Sequence, residues 1–224
     1  MKLTWYGHGT WLIETGDHRI VLDPFFDDNP AATLAAADVE ADFILISHGH
    51  FDHVADAAAI ANRTGATLVA IYEIAEWFGK NHSVEKAIGM NVGGAIELPF
   101  GQVKMTMAQH SSQLPDGSNG GVAGGFILTA ENKSVYFACD TGLFSDMRLY
   151  RGVDMAVLPI GDLFTMGPAD SIEAIKLIEP KQVLPAHYGT WPPIEQDAQA
   201  WAKAVSDTTQ ANPVVLKPGE ATNV

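Results

Sequence analysis

Residues 46–54 read ISHGHFDHV, placing three of the chain's eight histidines and one aspartate between His48 and His53. Imidazoles and a carboxylate crowded in this way disfavour folding unless something positive sits among them, and a metal ion is the ready candidate. His48 and His50 are two apart, so on an extended segment leaving a strand they project to the same side and can hold one ion. Asp52 and His53 come where the chain bends into a helix expected from about Val54, and there they can point toward a second ion. A carboxylate at a helix N-terminus also gains from the macrodipole. Gly49 is expected to relieve crowding between the ligands and to allow an unusual backbone angle. A lone histidine is ordinarily a surface or core residue, whereas His-X-His-X-Asp-His directly after a buried strand is a specific metal-ligand spacing.

The elements that must carry this cluster can be read from periodicity. LTWYG, TWLIET and RIVLDP look like short strands separated by turn residues, including Gly16-Asp17. DFILISHG is a continuous apolar run, as expected of a strand covered on both faces. HVADAAAIANRTG turns helical, with Val54, Ala58 and Ala61 on one face and Gly65 as its stop, and TLVAI returns to strand. In the second half, GGFILTAENKSVYFACD reads as a hairpin turning at Glu131-Asn132-Lys133, and DMAVLPIGD as another buried run. A helix is expected from about Pro168, with Ile172, Ile175 and Ile178 along one side, before the strand-like QVLPAHYG. A last helix with Ile194, Ala198, Trp201 and Val205 on one face and a strand PVVLK close the chain. WLIETGDHRIVLDP with FILISHGH and its helix matches FILTAENKSVYFACD with AVLPIGD and its helix, a duplication of pattern and not of residue identity. The reading is an α/β fold, a four-layer αββα sandwich of two similar halves with the metal site at one edge.

Composition narrows the partners. The 224 residues carry 27 acidic and 13 basic side chains, a formal charge of −14, which argues against nucleic acid or an anionic membrane surface and leaves a small-molecule substrate. Hydrophobic content of 47% and charged content of 18% describe a globular chain. The single cysteine, Cys139, rules out an internal disulfide framework and suits a reducing compartment. No apolar stretch near the start reads as a signal peptide and none is long enough to span a bilayer, so the expectation is a cytoplasmic protein. A homo-oligomer is left open.

With the ligand motif in place, the chain resembles the metallo-β-lactamase superfamily, whose signature is His-X-His-X-Asp-His after a strand and whose fold is an αββα sandwich of two halves. YGHGTWLIE, VLDPFF, GMNVGG, IGDLFTMGP and LPAHYGTWP are similar to a group of short, stand-alone metal-dependent hydrolases related to L-ascorbate-6-phosphate lactonase. The similarity covers essentially the whole chain, implying one hydrolase domain over residues 1–224. It supplies the remaining ligands: His110 in MAQHSS, Asp140 in YFACDTG and His187 in LPAHYG. The implied assignment puts His48, His50 and His110 on one ion, Asp52 and His187 with His53 on the other, and Asp140 between them. Cys139, beside Asp140, is expected to face the opposite side of its strand as a buried apolar residue.

Two divalent ions sharing a carboxylate imply a bridging hydroxide that attacks a small ester, lactone, amide or phosphodiester. Asp140 would hold the ions together, and Asp52 would orient the nucleophile or accept its proton. Imidazole and carboxylate suit zinc, with manganese, nickel and iron also compatible. His8, in the glycine-flanked YGHGT, is expected at the site rim as a substrate or proton-transfer residue, and Thr165 is expected either to bind substrate or to organise the helix start at Pro168. The rival from another class is a non-catalytic metal-dependent sensor or assembly protein on the same fold.

Overall fold

The computed structural model describes residues 1–224. Strands β1 (Lys2–Trp5), β2 (Trp11–Thr15) and β3 (His18–Leu22) form an antiparallel meander, which β4 (Phe43–Leu45), β5 (Thr67–Ile71) and β6 (Ala87–Met90) extend in parallel. The order then repeats. Strands β7 (Ala95–Leu98), β8 (Gly101–Met107), β9 (Gly124–Ala130) and β10 (Lys133–Phe137) are antiparallel, and β11 (Met155–Pro159), β12 (Gln182–Ala186) and β13 (Asn212–Pro213) follow in parallel. A last strand, β14 (Ala221–Asn223), returns to pair with β1. Each sheet therefore has seven strands, ordered β14-β1-β2-β3-β4-β5-β6 and β7-β8-β9-β10-β11-β12-β13, and β14 takes in the first sheet the place that β7 takes in the second.

Helices α1 (Phe51–Val54), α2 (Ala57–Thr64) and α3 (Tyr72–His82) belong to the first sheet, and α4 (Pro168–Ile178) and α5 (Ala198–Thr208) cover the second, giving the αββα sandwich. Alternation assigns the side chains to layers. Val135, Phe137, Met155, Val157 and Leu184 enter the core between the sheets, while Tyr136, Ala156, Leu158 and Val183 pack outward beneath α4 and α5. Strands β4 and β11 are buried at every position, as their unbroken apolar runs require.

The structure departs from the sequence reading at several places. The helix after the histidines is not continuous: α1 ends at Val54, and α2 starts at Ala57. The Asp56 carboxylate accepts the Phe26 N–H at 2.6 Å, and its own N–H donates to the Pro24 carbonyl, so the chain is tied to the loop after β3 and the helix must restart. Gly65 does end α2, in a left-handed conformation at φ 72°. Helix α3 was unread although Ile74, Ala75 and Phe78 bury one face. Ile194 falls outside α5, in a short turn over Pro192–Ile194, because Pro192 and Pro193 precede a helix that starts only after Asp197 caps it with bonds from the Gln199 and Ala200 N–H groups. The expected PVVLK strand shrinks to Asn212–Pro213, while the polar segment Ala221–Asn223 is a strand with no apolar pattern to announce it. No helix is long and apolar enough to cross a membrane.

The outer layer is held by one buried polar contact as well as by apolar packing. The Trp201 indole N–H donates to Ser171 Oγ at 2.8 Å, and that hydroxyl donates to the Pro168 carbonyl. Trp201→Ala should lower unfolding free energy by about 3–5 kcal/mol, and Ser171→Ala, which strands a buried indole donor, by about 1–3 kcal/mol. Urea unfolding curves check both values, and a Trp201→Ala loss below about 1 kcal/mol would contradict this packing.

Candidate metal centre

The residues singled out by the sequence arrive at one edge of the sandwich from the ends of β1, β4, β8, β10, β11 and β12, with α1 supplying Asp52 and His53. Several sit where the strand conformation breaks. His8, Asp23, Cys139 and His187 all have φ between 47° and 54°. A non-glycine residue in this region costs about 1–2 kcal/mol, and it persists only where its surroundings fix it. Here the loops fix one another. The His187 N–H donates to the His8 carbonyl, the Gly142 N–H to the Gln109 carbonyl, and the Met166 N–H to the Thr141 carbonyl. At Gly161 a Cβ would lie 2.2 Å from the His187 carbonyl oxygen, so only glycine allows this approach.

Two sets of donors result. His48 Nε2 and His50 Nδ1 are 2.9 Å apart, and His110 Nε2 is 3.2 Å from the same His50 nitrogen. Nitrogens bound tetrahedrally at about 2.0–2.1 Å would be about 3.3 Å from one another, so this trio has the spacing of three ligands about one point. In the second set, ligand atoms of His8, Asp52, His53 and His187 all lie within 4.8 Å of one another. Asp140 stands between the sets, with Oδ2 at 3.0 Å from His187 Nε2, 3.5 Å from His53 Nε2 and 3.6 Å from His110 Nε2. His53 Nε2, Asp140 Oδ1 and both His187 ring nitrogens are buried without a hydrogen-bond partner. Buried polar atoms are normally satisfied, and a cluster of unsatisfied ligand atoms facing one another fits a metal.

Charge divides the sets further. Burial lowers the pKa of His48, His50 and His110, leaving neutral rings with lone pairs to offer. At His187 burial also opposes protonation, but Asp140 outweighs it and raises the value to about 9. His53 follows the same logic: burial is overcome by Asp140, Asp52 and Asp23. Asp140 is itself held well below the carboxylate range, since His187 and His53 outweigh its burial.

All seven ligand-type residues of the sequence reading are thus brought together, whereas His8 is not at the rim where it was expected and Thr165 takes the second of its two expected roles. His8 is fully buried, not at a rim. Its Nε2 is 2.8 Å from Asp52 Oδ2 and its Nδ1 3.1 Å from Thr190 Oγ1, with burial lowering its pKa to about 4. A neutral His8 donates from Nε2 to the carboxylate and accepts the Thr190 hydroxyl at Nδ1. Thr165 spends its hydroxyl on the Met166 carbonyl, so it organises the loop before α4. Cys139 is only partly buried and, because β10 ends at Phe137, it lines a cavity of about 10 Å³ beneath the centre with Asp140 and His187 instead of facing away. Gly49 supplies room and no left-handed angle: its Cβ would meet the Gln113 carbonyl at 3.2 Å.

The sequence reading missed the groups that brace the ligands. Asp23 accepts the Ser47 N–H and hydroxyl and contacts His53 Nδ1 at 2.8 Å, and Ser47 Oγ is 2.9 Å from His48 Nδ1. Its signal was present in VLDPFF, an ionisable residue closing an apolar strand with no local partner.

Because ligands must be deprotonated, a cation entering among Asp52, His53 and His187 displaces protons, whereas one entering among His48, His50 and His110 displaces few. Affinity of the former set should rise with pH as His53 and His187, both held above the usual imidazole range and the latter at about 9, lose their protons. Calorimetric zinc titrations at pH 7 in two buffers of different ionisation heat should register proton release at one of two sites, and equal release at both would contradict this division.

The family described as Beta-lactamase superfamily domain matches residues 18–188. A UPF0173 metal-dependent hydrolase of Pelotomaculum thermopropionicum is 42% identical over 228 residues, covering 99% of each chain. One from Thermus thermophilus is 43% identical over 222 residues, covering 98% of this chain and 97% of that one. Among solved structures, Igni18, a metallo hydrolase from the hyperthermophilic archaeon Ignicoccus hospitalis, superposes with a TM-score of 0.89 at 34% identity, covering 99% of this chain and 97% of that one. Fold, ligand motif and relatives agree: the chain belongs to the metallo-β-lactamase superfamily, within the UPF0173 family of metal-dependent hydrolases.

Proposed function

We propose that the protein hydrolyses a small ester, lactone, amide or phosphodiester with two divalent ions, preferably zinc. His48, His50 and His110 hold one, Asp52, His53 and His187 the other, and Asp140 serves both. The observation that carries this reading is the placement of Asp140 Oδ2 within 3.6 Å of His110, His53 and His187. When bound, such ions lower the pKa of water toward neutrality and polarise a carbonyl or phosphoryl oxygen as Lewis acids.

The chain's own residues set the rest. Asp52 orients the nucleophile or accepts its proton: its Oδ2 is fixed by His8, and Thr190 in turn fixes the tautomer of His8. Asp23 holds His53 through Nδ1 and leaves Nε2 turned toward Asp52 and Asp140. Such bracing orients ligands and raises their basicity. His50 and His110 are partly exposed while His48, His53 and Asp140 are buried, so substrate reaches the centre from the His50–His110 side. The cavity on the inner side, about 10 Å³, admits no substrate.

Metal-replete protein assayed against an ester, lactone, amide and phosphodiester panel should show turnover lost on chelation; no metal-dependent turnover would favour a sensor or assembly role instead. Asp140→Ala should lower metal stoichiometry and reduce turnover by more than about 100-fold, and wild-type rates in that variant would contradict a shared carboxylate. His8→Phe should weaken metal affinity by about 10- to 100-fold while Thr190→Val has a smaller effect of the same sign, both read by competition with a chromogenic chelator.

A further inference from the structure

The loops that surround the centre share a property unrelated to metal binding. Segments 7–10, 23–29, 46–56, 108–123, 138–144, 160–167 and 187–197 form that edge, and none contains a lysine or arginine, although the chain has 13. They do contain Asp27, Asp28, Asp116, Asp162, Glu195 and Asp197 besides the acidic residues of the centre. Recognition of a phosphate or carboxylate remote from the reacting atoms uses arginine, lysine or a cluster of N–H donors, and these segments supply neither arginine nor lysine.

What these segments expose instead is apolar. Of the seven large apolar residues exposed on the protein, Phe51, Val122, Leu163 and Phe164 belong to them. Phe51 lies between His50 and Asp52 in the chain and is 51% exposed. Its ring stacks on Trp191 at 6.0 Å with an interplanar angle of 26° and meets the edge of Phe25 at 5.7 Å. Trp191 packs in turn against His8 at 4.6 Å, so this aromatic pair is braced by the group that holds Asp52. Leu163 and Phe164, 67% and 52% exposed, project from a loop anchored to the centre by Gly161 against His187 and by Met166 on Thr141. Large apolar groups left in water beside a reactive centre mark a surface that substrate covers.

We infer that the substrate carries an uncharged aromatic or branched apolar group next to its scissile bond, resting on Phe51 and Trp191, and no anionic group away from that bond. This inference rests on the hydrolytic reading and names its substrate class. For a lactone the step is balanced as addition of one water: the acyl carbon–oxygen bond breaks, the acyl carbon gains the hydroxyl, and the released oxygen takes the proton. A phosphorylated lactone would place its phosphate among carboxylates with no cation to replace its water.

Two probes test this on metal-loaded protein: dihydrocoumarin, a neutral aromatic lactone, and 6-phosphogluconolactone, a phosphorylated one. The expected result is a kcat/KM for dihydrocoumarin more than about 100-fold higher, a KM raised about tenfold by Phe51→Ala, and a gain on the phosphorylated lactone in Phe51→Arg. Metal-free protein supplies a second readout, since saturation-transfer NMR should detect dihydrocoumarin and lose it in Trp191→Ala. Preference for the phosphorylated lactone, with Phe51→Ala unchanged, would overturn the inference while leaving the hydrolase reading standing. If neither lactone is turned over but dihydrocoumarin still binds through Phe51 and Trp191, the hydrolytic reading fails and the apolar recognition survives; absence of that binding overturns it.

Discussion

The structure depends on one electrostatic constraint: five imidazoles and two carboxylates converge within a few ångströms at a place largely closed to water. His48, His53, Asp140 and His187 are at most 3% exposed. In a low-dielectric setting such groups cannot all be charged or all be neutral without penalty. The protein alone answers by splitting them, with neutral rings in the His48–His50–His110 trio and protonated rings beside Asp140 and Asp52. A metal cation held among them would resolve the same conflict more fully, since it would engage ligand atoms that no hydrogen bond reaches.

The rest of the fold can be seen as the frame that withstands this conflict. Both sheets end their parallel strands at the same edge, and the loops leaving them are linked through backbone and side-chain hydrogen bonds together. The left-handed residues at positions 8, 23, 139 and 187 mark where the frame turns the chain sharply to aim a ligand or its brace. Such strain is tolerable because the buried sheets beneath contribute far more through apolar packing.

Much of this was legible in the sequence, for reasons that differ by residue. His48, His50, Asp52 and His53 are close in the chain, so their spacing reported their purpose directly. His110, Asp140 and His187 are isolated, and only a family resemblance drew them in. The paired halves were readable because β2-β3-β4 and β9-β10-β11 repeat one hydrophobic rhythm. What stayed hidden were contacts between distant pieces: Asp23 on His53, His8 on Asp52, Asp56 on the loop after β3. Periodicity describes how a segment meets a core and says nothing about which polar partner waits across it. For that reason His8 was expected at the rim, and the helix at Val54 was expected to run unbroken.

The return of β14 to the side of β1 closes the first sheet with segments far apart in sequence. The outer neighbour of the first strand comes from residues 221–223, and Gly219 and Glu220 just before it exchange backbone bonds with Trp5. His8, three residues beyond Trp5, is therefore supported by a segment at the far end of the numbering. Long-range pairing of this kind slows folding, so the edge that carries His8 is completed by one of the least local contacts in the fold.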